Sequence, residues 1–277
     1  MDGERSLALR LHGALDMERI GRSIAPRRVG RRLAYRDTVT STNDVAWAEA
    51  CSPDADGLVV LAEHQTGGRG RLGRPWRDAR GASVLCSVLL VDDGRKLSAA
   101  QLALAPCVAA AEAIEAVVGV RVTLKWPNDL LYDGRKLGGV LVESRPLGSG
   151  RAWVIGIGIN CLQHAGHFDG DLSPVATSLD LAGTRPVDRS ALVAAVLTGL
   201  DCLLASPQPC DLDGLRQRWM SRTAMIGSRV SLRRDGETFS GTVVDLDPTA
   251  SLVVQLDGGG VRAFSVFDTS HDTGPLP

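Results

Sequence analysis

Between Gly67 and Trp76 the sequence reads GGRGRLGRPW, with glycines alternating with Arg69, Arg71 and Arg74. Glycines let backbone N–H groups come close to anionic oxygens, and guanidinium groups neutralise carboxylates and phosphates bidentately. The segment contains G-x-G-x-x-G at Gly68, Gly70 and Gly73. A dinucleotide site needs those glycines to open a helix. Here Arg74-Pro75-Trp76 follows, with no apolar helical period before Ser83, which excludes that reading. No Gly-Lys-Ser/Thr occurs anywhere, so a Walker A loop is excluded too. The chemistry that remains is the meeting of two anions, such as a carboxylate attacking a phosphate, with arginines offsetting their repulsion. On composition alone, a basic loop that binds nothing is an equal alternative.

Three neighbouring segments shift that balance. Ser41-Thr42-Asn43 places hydroxyl and amide groups at a helix start, suited to a small neutral polar head. Lys125-Trp126-Pro127-Asn128-Asp129 sets a lysine and an acid around a rigid turn, and Lys136 stands at the entrance to an apolar strand. Lys96, Lys125 and Lys136 are the three lysines of an arginine-rich chain, so a retained lysine points to point-charge chemistry. Gly156-x-Gly158-x-Asn160 ends another strand with small residues and an amide. Lys125 and Trp126 read equally well as props for the Pro127 turn, and Asn160 as a strand-end cap. His164-x-x-His167 with Asp169 and Asp171 has metal-like spacing, but reads as a polar surface loop because no cysteine or strand frames it.

The set S-T-N, A-E-H-Q-T-G-G-R-G-R-L-G-R-P-W, K-W-P-N-D-L-L, K-L-G-G-V-L-V-E and G-I-G-I-N resembles the bacterial biotin–protein ligases in order and spacing, over about residues 33–266. Lipoate ligases share the fold type but lack the Arg/Gly loop, and come second. The resemblance implies activation of biotin with ATP to biotinyl-5′-AMP, release of pyrophosphate, and transfer of biotin to a lysine of a biotin carboxyl carrier protein. It implies that Ser41, Thr42, Asn43 and Gln65 hold the ureido ring, and that Arg69, Gly70 and Arg71 line the biotin and acyl-phosphate junction. Lys136 would bond the oxygens of the reacting groups. Arg71 and Arg74 would meet the ATP phosphates, with Trp76 anchoring the loop and Asn160 near the adenine. The catalytic candidates are thus Arg71, Lys136 and Asp129, the last as base, metal contact or structural residue. Mg²⁺ is the expected co-cation, with its ligands unassigned, and a homodimer is allowed.

The elements must deliver these residues to one place. The resemblance implies an α+β fold, with a mixed, largely antiparallel central sheet flanked by helices, as in class II aminoacyl-tRNA synthetases. A small C-terminal SH3-like β-barrel completes it. The divisions fall at 1–32, 33–224 and 225–277. Pattern places short helices within 5–24, capped by Asp16, and strands at 33–39, 57–63, 83–91, 122–126, 137–143 and 152–159. Helices follow Ser41 to about Cys51, and cover 98–118 with a kink at Pro106, 188–205 and 212–221. Four short strands at 228–232, 238–245, 251–256 and 261–266 make the barrel.

In 277 residues, 31 basic side chains face 32 acidic ones, a formal net charge of −1, so whole-molecule attraction to nucleic acid or an anionic membrane is not expected. The six arginines between Arg22 and Arg36 read as a solvated face, with a nucleic-acid arm as the rival class and a non-catalytic small-molecule binder as a third. The segment ahead of Leu33 is shorter than a winged-helix module, so no repressor function is expected. No signal-peptide pattern occurs, and 102–118 reads as a buried core helix. Six scattered cysteines without C-x-x-C are expected to be reduced, in the cytoplasm.

Overall fold

Along 154–159, Ile155, Ile157 and Ile159 alternate with Val154, Gly156 and Gly158. Successive strand residues face opposite sides, so this one strand carries a greasy face and a nearly bare one. The bare face is where the site lies. The computed structural model describes residues 13–92, 98–168, 170–183, 186–204, 211–247, 250–265 and 269–271.

The elements in chain order are α1 (Met17–Ser23), β1 (Arg32–Val39), α2 (Thr42–Ala48), β2 (Leu58–Gln65), β3 (Ser83–Val91) and α3 (Ala99–Val118). Then come β4 (Thr123–Lys125), β5 (Asp129–Tyr132), β6 (Arg135–Leu147), β7 (Gly150–Asn160), α4 (Leu179–Ala182), α5 (Arg189–Leu204) and α6 (Leu212–Met220). The C-terminal strands are β8 (Arg229–Arg234), β9 (Glu237–Leu246), β10 (Leu252–Leu256), β11 (Val261–Phe264) and β12 (Ser270–His271). The main sheet has the order β1-β2-β3-β7-β6-β5-β4. Only its β1–β2 pair is parallel, so the expected mixed, largely antiparallel sheet is present. The second sheet, β11-β10-β9-β8-β12, is antiparallel throughout.

Val84, Cys86, Val88 and Leu90 of β3 join Ile155, Ile157 and Ile159 in the main core beneath α3 and α5. Leu89 and Val154 face the other way, against Ala46, Trp47 and Ala50 in and just after α2. α3 is long and apolar enough to cross a membrane, but 78% of its window is buried inside the protein, which makes it a core helix. It runs through Pro106 without interruption.

Several boundaries differ from expectation. α2 ends at Ala48, and residues 5–12 of the expected N-terminal helices, with Lys96 and Cys210, lie outside the described residues. Asp16 does cap α1, accepting from Arg19 N. The 125–129 turn, with a cis Trp126–Pro127 bond, is followed by an additional strand, β5. Two leucines are too short a run to read as a strand, and β5 exists because β4 and β6 pair with it on both sides. The arginine-rich run is locally paired: Arg28 is buried against Asp56, Arg32 meets Glu49 and Asp54, and Arg22 meets Glu18. Burial pushes the thiols of Cys86, Cys107 and Cys161 up to about 12, so they are inert core residues.

The small sheet shares the main core. Trp126 is fully buried, and its Nε1 donates to the Ala250 carbonyl at 3.0 Å. Arg216 of α6 bonds Asp245 and the Leu246 carbonyl. Trp126 is therefore a structural pin between the lysine-bearing turn and the C-terminal sheet.

Candidate active site

Three glycines make the floor. Gly139 of β6 lies opposite Gly158 of β7, with Gly156 two residues further along β7 on the same face, where the backbone must admit close neighbours. A Cβ on Gly158 would stand 2.7 Å from the Trp76 ring, and one on Gly156 would stand 2.5 Å from Asn43 Oδ1. One on Gly139 would stand 3.4 Å from Lys136 Cε. The expected site residues Asn43, Trp76 and Lys136 thus lie directly on bare backbone.

Ser41 caps α2, accepting from Asn43 N at 3.3 Å. Thr42 N donates to Gln65 Oε1 at 2.8 Å, and Thr42 Oγ1 lies 3.1 Å from the same oxygen. Ser41, Thr42, Asn43 and Gln65 therefore meet at one end of the floor. Ser87, Glu143 and Trp47, which sequence reasoning missed, complete this cluster. Asn43 Nδ2 and Trp47 Nε1 both donate to Glu143 Oε2. Ser87 is a buried polar residue in the middle of a mostly apolar strand, and such a residue demands a partner. That was the available signal.

The Gly/Arg loop is tied down at its base. Val39 O accepts from Thr66 N, Thr40 O from Gly67 N, and Gly68 O from Trp76 N. Beneath it, the carboxylate of Asp78 has 0% side-chain exposure and lies 2.9 Å from His64 Nδ1. Burial raises the Asp78 carboxyl above its usual range, and His64 opposes that shift. Within the loop, Arg69 forks onto Asp44 at 2.9 and 2.6 Å, which lowers the Asp44 carboxyl and ties the loop to α2. Arg71 donates to the Thr269 carbonyl at 2.7 Å, linking the loop to the C-terminal sheet. Arg74 is exposed, and Leu72 takes the left-handed conformation (φ 55°) at the tip. Gly70 N donates to Arg74 O at 2.7 Å. Trp76 Nε1 is buried with no hydrogen-bond partner among the described residues.

Opposite the loop, Lys136 Nζ lies 2.6 Å from Asp129 Oδ1, both partly exposed. The β5–β6 register shifts between Leu130 and Leu131, just where Leu131 faces Lys136, and a bulge of this kind re-aims a side chain. Burial lowers the Lys125 ammonium below its usual range; Asp129 opposes that and Lys136 adds to it. Asn160 is buried, donating to Thr177 O at 3.0 Å and accepting from Gln163 at 3.2 Å. Its amide thus holds the 160–178 segment together. His164 and His167 stack at 5.6 Å on the surface, Asp169 lies outside the described residues, and no metal-ligating cluster of three occurs among the described residues.

The arrangement sets hydroxyl and amide groups at one end of a bare floor and the Lys136 ammonium at the other. It suits a ligand with a polar uncharged head and an anionic tail.

Comparison with known proteins agrees. Residues 34–160 match the biotin/lipoate A/B protein ligase family, and 225–272 match the biotin protein ligase C-terminal domain. The biotin–[acetyl-CoA-carboxylase] ligase of Mycobacterium tuberculosis is 32% identical over 267 residues, covering 90% of this chain and 94% of that protein. The bifunctional ligase/repressor BirA of Bacillus spizizenii is 31% identical over 238 residues, covering 86% of this chain and 73% of that protein. The Aquifex aeolicus biotin protein ligase, solved with biotin and ATP, shares the fold with a TM-score of 0.75 at 24% identity, over 88% of this chain and all (100%) of that one. Through its catalytic segment and its C-terminal domain alike, the chain belongs to the biotin protein ligases of the biotin/lipoate A/B protein ligase family.

Proposed function

We propose that the protein is an ATP-dependent biotin–protein ligase of the cytoplasm, acting on the carboxyl carrier domain of a biotin-dependent carboxylase. The observation that carries this reading is that Asn43, Trp76 and Lys136 rest over neighbouring glycines of β6 and β7, with Thr42 and Gln65 bonded to each other beside Asn43. A ureido ring is neutral and takes donors and acceptors rather than charge. The biotin carboxylate and the α-phosphate repel each other until cations stand between them.

In the first step a carboxylate oxygen bonds to the α-phosphorus and the bond to pyrophosphate breaks. Lys136 and Arg71 gather the oxygens whose charge grows, and Arg74 meets the outer phosphates. In the second step the neutral amine of a carrier lysine attacks the acyl carbon and AMP leaves. Of the three roles open to Asp129, the structural one fits best, because its oxygen is engaged by Lys136 at 2.6 Å. Mg²⁺, the co-cation of ATP, would add to the neutralisation of phosphate charge that Arg71, Arg74 and Lys136 supply.

The division at 1–32, 33–224 and 225–277 serves this reading. The middle part holds both substrates, and the C-terminal part supports the loop through the Arg71–Thr269 contact. The mixed anhydride is prone to hydrolysis, so residues 66–76 are expected to close over it and exclude water. Trypsin should cut after Arg71 in the protein alone and be blocked by biotin plus ATP. Equal cutting in both states would argue against closure.

The direct test is incubation with biotin, ATP and an isolated carrier domain. One carrier lysine should gain the mass of biotin, with one pyrophosphate and one AMP released per transfer. Labelling with lipoate instead of biotin, or no labelling, would sink the reading.

A further inference from the structure

Behind Thr42 and Gln65 runs a chain of side chains whose hydrogen-bond directions are forced. Trp47 Nε1 donates to Glu143 Oε2 at 3.1 Å, and Asn43 contacts the same oxygen at 2.8 Å. An indole N–H only donates, so this oxygen accepts, and Asn43 must turn its NH₂ toward it and its Oδ1 away. Asn43 Oδ1 lies 2.6 Å from Ser87 Oγ, and the only proton between two such oxygens is the hydroxyl's. Ser87 has one proton and two oxygen neighbours. Its 2.7 Å contact with Thr42 Oγ1 must therefore be donated by Thr42. The Thr42 proton is engaged there rather than on Gln65 Oε1 at the longer 3.1 Å, and the Thr42 hydroxyl is left with lone pairs only.

Gln65 is oriented by the same logic. A backbone N–H only donates, so the 2.8 Å bond from Thr42 N fixes Oε1 inward and leaves the Nε2 group as a donor. Nor can Asn43 swing away, because it rests on the backbone of Gly156, where a Cβ would come within 2.5 Å of Oδ1.

We infer that Glu143, Asn43 and Ser87 are positioning residues that set the polarity of the pocket, presenting Thr42 as an acceptor beside Gln65 as a donor. This deepens the ligase reading and rests on it. A ring with an N–H next to a C=O, as in a cyclic urea, matches both groups at once. A dithiolane ring offers neither, and leaves the lone pairs of buried Thr42 and the Nε2 protons of half-buried Gln65 without a ligand partner. Sites built to hydrogen-bond a substrate reject an analogue lacking the group by roughly 10⁴-fold. The chain thus supplies the means by which this site takes biotin rather than lipoate.

The test is biotin-dependent pyrophosphate exchange by the full-length protein and by Ser87→Ala, Glu143→Ala and Glu143→Gln, with the melting temperature of each. Ser87→Ala and Glu143→Ala are expected to raise KM for biotin about tenfold or more, as for a hydrogen bond lost to a buried partner. Values of kcat and KM for ATP should stay within about twofold of the parent, well short of the tenfold that a lost hydrogen bond produces. Glu143→Gln should behave like the parent, because its carbonyl oxygen still accepts from both Asn43 and Trp47. Unchanged KM for biotin in Ser87→Ala and Glu143→Ala would overturn the inference. So would Glu143→Gln as damaged as Glu143→Ala, or an equal loss in all constants, the mark of a loosened sheet. If Ser87→Ala does not fold, the Glu143→Ala and Glu143→Gln pair decides alone. No exchange in the parent protein would instead overturn the ligase reading.

Discussion

Lys136→Ala is expected to slow formation of biotinyl-5′-AMP about 10²–10³-fold, the loss found when one preorganised donor to a developing charge is removed. Lys136 is the ammonium that β6 aims over bare backbone, and a bulge one step away directs it. Its partner Asp129, at 2.6 Å, holds it without burying it, since 40% of the side chain is exposed. Alanine removes the charge and leaves the strand intact, because Lys136 N and O bond the Val175 and Thr177 backbone. The measurement is single-turnover adenylation, with biotin affinity determined separately. Arg71→Ala should fall in the same range, with an added rise in KM for ATP. Adenylation within threefold of the parent for Lys136→Ala would remove the assignment.

The largest stability effect is expected away from the site, at a buried ion pair. Arg189 and Glu63 are both nearly fully buried, with Nη1 2.8 Å from Oε2. Glu63 also accepts from Leu15 N and Tyr35 Oη, and Arg189 donates to the Ser83 and Gly13 carbonyls. Together they fasten the N-terminal segment, β2, β3 and α5. Arg189→Ala strands a buried carboxylate and should cost about 3–5 kcal/mol, read by urea unfolding. The double variant Glu63→Gln, Arg189→Met removes both charges and should recover a large part of that loss. A double variant as unstable as Arg189→Ala alone would show that the carboxylate was not the cause.

Much of this was legible in the sequence because the chemistry is concentrated in short runs. The Gly/Arg loop, Ser41–Asn43 and Lys136 each carry their signal within a few residues. Four of the five strands of the C-terminal sheet were marked by their turns; the two-residue β12 was not. What stayed hidden depends on partners distant in sequence. Asn43 meets Glu143 across 100 residues, and Arg71 meets Thr269 across 198. No local pattern encodes such a pair; only the sheet order brings them together. The glycines of β6 and β7 were visible as small residues, but their purpose emerges only when Trp76, Asn43 and Lys136 are seen resting on them. Asn160, visible as a motif position, has its amide bonded to Thr177 and Gln163, partners that the motif itself does not encode.

The central claim is that the cationic loop and Lys136 bring a neutral-headed carboxylic acid and ATP together to make an acyl-adenylate. Exchange of labelled pyrophosphate into ATP tests it directly, run with biotin, with lipoate and with no acid. Exchange that requires biotin, fails with lipoate and falls at least tenfold in Arg71→Ala and Lys136→Ala is the expected result. Exchange that proceeds without biotin, or that survives both substitutions undiminished, would contradict the account.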